Sequence, residues 1–149
     1  MKKTNIYPLI AATLLGIASL ASCADDDGKS CEEKAGQRAV AFAQAYYNQH
    51  FDKASAMVTA ESRKWITFFV SNMTEGDLDV LSQYPEASVA EVQEVRLTSD
   101  STAEADVVVD HAFVADSLGK PGRMVDDKEL SLKLVVRDKN WQVVLDSCL

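Results

Sequence analysis

The residues able to do chemistry are few and scattered. The chain has 149 residues, with two histidines and three cysteines. His111 falls in the alternating run Val107, Val109, His111, Phe113, so it shares a strand face with apolar neighbours and points toward the core side. A histidine lining a pocket there could exchange a proton near neutral pH. The plainer reading is a hydrogen-bonded core or rim residue. His50 reads as loop between two helical stretches. Two isolated histidines lack metal-ligand spacing, and the pair Asp126-Asp127 and the run Asp25 to Asp27 lack the spacing of a calcium loop; no metal or cofactor is expected. Tyr46, Trp65, Phe69 and Trp141, together with His111, are candidate cavity-lining residues. The same spacings also suit a plain core. The nucleophile-elbow, zinc-helix, phosphate-loop and dinucleotide fingerprints are absent, so no residue is assigned a catalytic role.

The first segment reads as an address. Lys2 and Lys3 precede a stretch from Thr4 to Ser22 with no charged side chain. This is the charged start and apolar body of a secretory signal, short for a membrane-spanning helix. It ends Leu20-Ala21-Ser22-Cys23, which resembles the lipobox of bacterial lipoproteins. The resemblance implies cleavage before Cys23 and a thioether-linked diacylglycerol on that cysteine, with more than one acyl chain for stable anchoring. Residues 1–22 are then a signal peptide, 23–30 a lipidated cysteine with an acidic tether, and 31–149 a single domain. Asp25-Asp26-Asp27 reads as solvated tether. It also resembles the acidic stretch by which certain Gram-negative bacteria send lipoproteins to the cell surface. An outer-membrane lipoprotein is therefore expected, with the cell surface favoured over the periplasm-facing side.

The net charge is −8, and the signal carries off two lysines. No basic stripe interrupts the acidity. Nucleic-acid binding and electrostatic adhesion to anionic lipid are therefore not expected, and the lipid is the contact with the membrane. Export to an oxidising compartment leaves Cys31 and Cys148 as a pair for a disulfide spanning nearly the whole domain. Such a loop would contribute about 4–5 kcal/mol in the chain-entropy picture. The alternative is a reactive Cys31 thiol, because Ser30 and Glu33 form a capping-box pattern that puts Cys31 in a first helical turn.

The elements that must position these residues come in two blocks. Ala35, Ala39, Phe42 and Tyr46 recur at helical spacing in a first helix over 31–48. A short helix is expected over 51–58 and a third after Thr59, carrying Trp65, Ile66, Phe68, Phe69, Val70 and Met73. Thr74 with Asp77 starts a further turn, and Pro85 ends the helical half. The period then becomes two. Strands are expected over 89–98, over 102–115 as one long strand, over 128–137, and in Trp141-Gln142-Val143-Val144-Leu145 after the turn Asp138-Lys139-Asn140. Helices followed by antiparallel strands make an α+β domain, with helices packed on a curved antiparallel sheet of about four strands.

This order resembles the nuclear-transport-factor-2-like (cystatin-like) fold, over roughly Ser30 to the C-terminus. The resemblance implies a cone-shaped cavity between helices and sheet. In that family the cavity serves enzymes, binders and dimer interfaces alike, so fold does not give function. Enzymes of the family use Asp, Tyr or His in the cavity. Here Tyr46, Tyr47 and His111 are the candidates, while Asp106 and Asp110 fall on the opposite strand face. The function expected is a noncatalytic, lipid-anchored domain that binds a small molecule or an envelope protein. The alternatives are a small-molecule isomerase, dehydratase or hydrolase using the cavity, and a purely structural envelope protein. The family also implies a homodimer through the sheet, although the strand faces carry Glu129, Lys133 and Arg137.

Overall fold

The computed structural model describes residues 29–115, 117 and 119–149. The expected signal peptide, Cys23 and the Asp25–Asp27 run lie outside the described residues. No described helix is long and apolar enough to cross a membrane.

Helix α1 (Cys31–Tyr47) starts at Ser30, whose hydroxyl accepts from the Glu33 N–H at 3.1 Å. Its buried stripe is mostly small: Ala35, Gly36, Ala39 and Ala43, with Phe42 and Tyr46 between. Small side chains let the helix axis approach the sheet closely. A Cβ on Gly36 would already stand 3.1 Å from a Val95 methyl. Then come α2 (Phe51–Ala56), a single 3₁₀ turn (Ala60–Ser62), α3 (Arg63–Ser71) and α4 (Glu75–Gln83). Helix α2 stops before Val58, earlier than its apolar pattern suggests. Val58 instead makes a parallel bridge to Val143, flanked by hydrogen bonds from the Thr59 N–H to the Val143 carbonyl and from the Val143 N–H to the Met57 carbonyl.

The strands are β1 (Val89–Ser99), β2 (Thr102–Asp110), β3 (Ala112–Val114), β4 (Arg123–Val125), β5 (Lys128–Arg137) and β6 (Asn140–Val144). Four form one antiparallel sheet in the order β1-β2-β5-β6, and β3 and β4 pair separately. The α+β expectation therefore holds. The β5–β6 hairpin turns on Asp138 and Lys139, both at positive φ, the pair of left-handed residues that a tight primed turn needs. Register shifts between Val92 and Glu94, a bulge in the edge strand.

The inner sheet face carries Ala103, Ala105, Val107, Val109, Leu130, Leu132, Leu134, Trp141 and Val143, all buried, and α1 lies across it. On the outer face Arg96 bonds Glu94 at 2.8 Å and Asp106 at 2.7 Å, with Glu104 at 3.7 Å.

Two expectations are corrected. The strand over 102–115 is not continuous. His111 has φ of 55°, a left-handed conformation that ends β2, breaks the alternation and leaves both Ala112 and Phe113 buried. His111 therefore does not continue the core face, and its side chain is 37 % exposed. The expected Cys31–Cys148 disulfide is also absent: both are free thiols. Cys31 opens α1, whereas Cys148 lies beside Tyr46 in the last turn of that helix and reaches the Trp65 carbonyl at 3.5 Å. The intervening helix is about 22 Å long at its rise per residue, whereas bridged cysteines have Cα atoms under about 7 Å apart.

Candidate functional site

The site forms beside the C-terminal end of α1, where Phe69 packs on Tyr46. Helix α3 carries three consecutive apolar residues, Phe68, Phe69 and Val70, which a helix spreads around its axis at about 100° per residue. Only one can turn inward. Phe69 does so, meeting Tyr46 at 5.4 Å, Phe51 at 5.9 Å and Phe113 at 6.5 Å between ring centres. Phe68 is left 49 % exposed.

Helix α4 begins with the capping box that Thr74 and Asp77 suggest. The Thr74 hydroxyl accepts from the Asp77 N–H at 3.2 Å, and Asp77 Oδ2 accepts from the Thr74 N–H at 2.7 Å and its hydroxyl at 2.9 Å. The other oxygen, Oδ1, accepts from the Gly122 N–H at 2.7 Å. This bond ties the segment between β3 and β4 to the helix. Burial works to raise the Asp77 pKa, but the hydrogen bonds from Thr74 and Gly122 outweigh it and hold the carboxyl below its ordinary value. Gly122 is required at that point. A Cβ would stand 2.3 Å from Phe113 Cζ and 2.6 Å from the Val114 carbonyl oxygen.

Between these parts lies a pocket of about 210 Å³. Phe68, Phe69 and Met73 form one wall and Phe113 another. Ser117, Gly119 and Lys120 form the rim, and Cys148 lies at the tail side. Burial raises the Cys148 pKa, which keeps it a thiol rather than a nucleophilic thiolate near neutral pH. Asp77 belongs to the lining with its oxygens already engaged. The Lys120 ammonium has no ion-pair partner among the described residues. Such a pocket is equipped to hold an apolar group.

Of the candidate cavity-lining residues singled out in the sequence, only Phe69 lines this pocket, together with Cys148, which was singled out for a disulfide. Tyr46 is buried behind it, its hydroxyl without a hydrogen-bond partner among the described residues. Burial, and then the neighbouring Tyr47 and Cys148, push that phenol well above the ordinary tyrosine range. Trp65 lines a separate groove with Val135 and Asp146, under the Lys64 ammonium 5.1 Å from its ring centre. Trp141 closes the core beneath the first turns of α1, near Lys34 and Arg38. His111 sits elsewhere again: its Nε2 is 3.1 Å from Glu86 and 4.0 Å from Asp126, and its backbone carbonyl accepts from the Ser88 hydroxyl at 2.7 Å. The described residues contain no cluster suited to a metal ion.

Sequence reasoning passed over Phe68, Met73 and Phe113 as lining, and Lys120 altogether. The Phe68-Phe69-Val70 run was the available signal, because no single helix face can bury all three.

No protein-family model matches the chain, and no curated protein matches its sequence. Among solved structures it is similar to a proposed polyketide cyclase from Xanthomonas campestris pv. campestris, with 14% identity and a TM-score of 0.37, over 77% of this chain and 92% of that one. It is also similar to a SEC-C motif containing protein from Rhodopseudomonas palustris, with 16% identity and a TM-score of 0.35, over 83% of this chain and 95% of that one. Likenesses this distant carry nothing about chemistry.

Proposed function

We propose that this chain is a lipid-anchored protein of the bacterial outer membrane, exposed at the cell surface, whose domain binds a small apolar or amphiphilic molecule without transforming it. The anchor rests on Leu20-Ala21-Ser22-Cys23 behind a charge-free stretch, and the surface location on Asp25 to Asp27. We read the domain as a nuclear-transport-factor-2-like fold. The order of helices and antiparallel strands supports that reading.

One observation carries the binding role: an apolar pocket walled by Phe68, Phe69, Met73 and Phe113, with Phe68 half exposed at its edge. The groups that an enzyme would need are held elsewhere. His111 faces Glu86, and Tyr46 is sealed behind Phe69.

Native mass spectrometry of the protein recovered from its host's envelope tests the binding role. A bound mass of a few hundred daltons, lost when Phe68 is replaced by Ser, is the expected result. A bare chain would overturn it. Cys23→Ser should move the protein from the membrane to the soluble fraction, and retention in the membrane would refute the anchor. Protease added to intact cells should cut the protein; complete protection would place the domain facing the periplasm.

A further inference from the structure

The inner face of the sheet is covered unevenly. Opposite the buried Ala103, Ala105 and Val107 of β2, strand β1 sets Leu97, Val95 and Val92. Leu97 and Val92 are nevertheless 40 % exposed. An open groove of about 710 Å³ runs between α1 and this strand, with Gly36, Val40, Ala41, Val92 and Val95 in its lining. β1 is also an edge strand, and among the described residues no strand or bridge pairs with the backbone groups on its outer side. We infer that this margin takes a short extended peptide of alternating apolar and basic residues, added as a further strand beside β1. The groove shares no lining residue with the pocket around Phe69, so the inference stands apart from the binding role proposed above.

The alternation follows from the two faces of the margin. A strand added there points successive side chains to opposite sides. The inward ones meet Val92, Val95 and Val40, which suits apolar residues. The outward ones stand beside Glu91 and Glu94, which share the outer face with Glu104 and Asp106. Opposite charges attract across neighbouring strands and like charges repel. Arg96 is the cation within this group, and it is already divided among Glu94, Asp106 and Glu104. At the N-terminal end of α1, Glu32 and Glu33 also line the groove, and Lys29 reaches its edge by a 3.0 Å hydrogen bond to Gln37. The helix N-terminus offsets part of the charge of those two carboxylates. The balance along the margin remains negative, and the net charge of −8 draws a basic segment from further away. Length follows from the register shift at Gln93, which divides the margin into regular runs over 89–92 and 94–97. On an antiparallel edge every second residue presents its backbone groups outward, so each run offers about two such residues. The occupant is therefore a segment of a few residues, whereas the acidic β1 of a second copy would be repelled.

The test uses the full chain, recovered from its host's envelope in detergent, and fluorescence anisotropy of labelled peptides. A heptapeptide of alternating valine and lysine should bind, and its valine–glutamate counterpart should not. The valine–lysine peptide methylated on alternate backbone nitrogens should lose binding, because its donors to the strand edge are gone. Val92→Lys places a like charge inside the margin and should weaken the valine–lysine peptide by about ten-fold or more. Glu91→Gln, on an exposed residue where folding is not at risk, should weaken it about two- to five-fold, the range of one cross-strand charge pair. Equal binding of the methylated peptide overturns strand addition, since attraction between charges alone would not need the amides. Equal binding of the glutamate peptide overturns the basic assignment. Binding untouched by both substitutions overturns the location at β1. No binding of the valine–lysine peptide, or a dimer that excludes it, overturns the proposal outright.

Discussion

Where α1 crosses the sheet, the contact is apolar and close, built from alanines and Gly36 against alternating Val, Leu and Ala. Where α3 and α4 meet the β3–β4 hairpin, the deciding contacts are polar and few: Asp77 with Thr74 and Gly122, and one aromatic cluster around Phe69. In the first region small helix residues let the two layers close on each other over the buried sheet face. The second is fastened at points rather than along a face, and the space between those points remains open. Close packing and open space thus lie in different parts of one domain.

The comparison can be broken most directly in the close-packed region. Phe42 is fully buried beneath α1, so Phe42→Ala should cost about 3–5 kcal/mol, read from urea unfolding. A loss under 1 kcal/mol would mean that this region is looser than its packing implies. Gly122→Ala comes next, at about 1–3 kcal/mol, because the new methyl must displace Phe113 or the backbone. It should also disturb the pocket, which Phe42→Ala should change less per kcal/mol lost.

Asp77→Asn sharpens the comparison through pH. The Asp77 pKa is lowered on folding, so its contribution is complete above the unfolded carboxylate value, near 3.9. It is lost as pH falls through the lower folded value. The wild type should therefore lose stability more steeply than Asp77→Asn below about pH 4. At pH 7 the substitution should cost about 1 kcal/mol. Parallel pH profiles would show that Asp77 contributes nothing as an ion. The smallest effect is expected at Phe68→Ser, within about 0.5 kcal/mol of wild type, since that side chain is half exposed. Binding and stability should separate there: a large stability loss would make Phe68 part of the core rather than part of the site.

Local signals were legible in the sequence wherever a residue's own neighbours decide the outcome. The Ser30 cap, the α1 stripe, the Thr74–Asp77 box and the alternation of β5 all read directly, because each depends on residues within one or two turns or on a strict period. What misled was alternation across His111. A pattern of apolar residues cannot register one left-handed residue, and that residue turned a single strand into two sheets. The Cys31–Cys148 pairing failed for a related reason: parity and compartment say nothing of the rigid helix between the two thiols. The pocket was least legible. It depends on how α3, α4 and the β3–β4 segment meet, and Tyr46 and Trp141, which looked suitable for a cavity, became core.

The bulge in β1 has a consequence for neighbouring copies of the protein. The sheet has two open margins. At β6 the margin is partly covered by the bridge from Val58 and the hydrogen bonds of Met57 and Thr59. At β1 no described residue bridges the margin, and eleven residues of strand lie at the border. Such a border is a template on which another chain can crystallise strand by strand. The irregularity at Gln93, with Glu91, Glu94 and Arg96 along the same strand, spoils that template by twisting it and charging it. Strand-by-strand addition of a second copy along this border is thereby disfavoured.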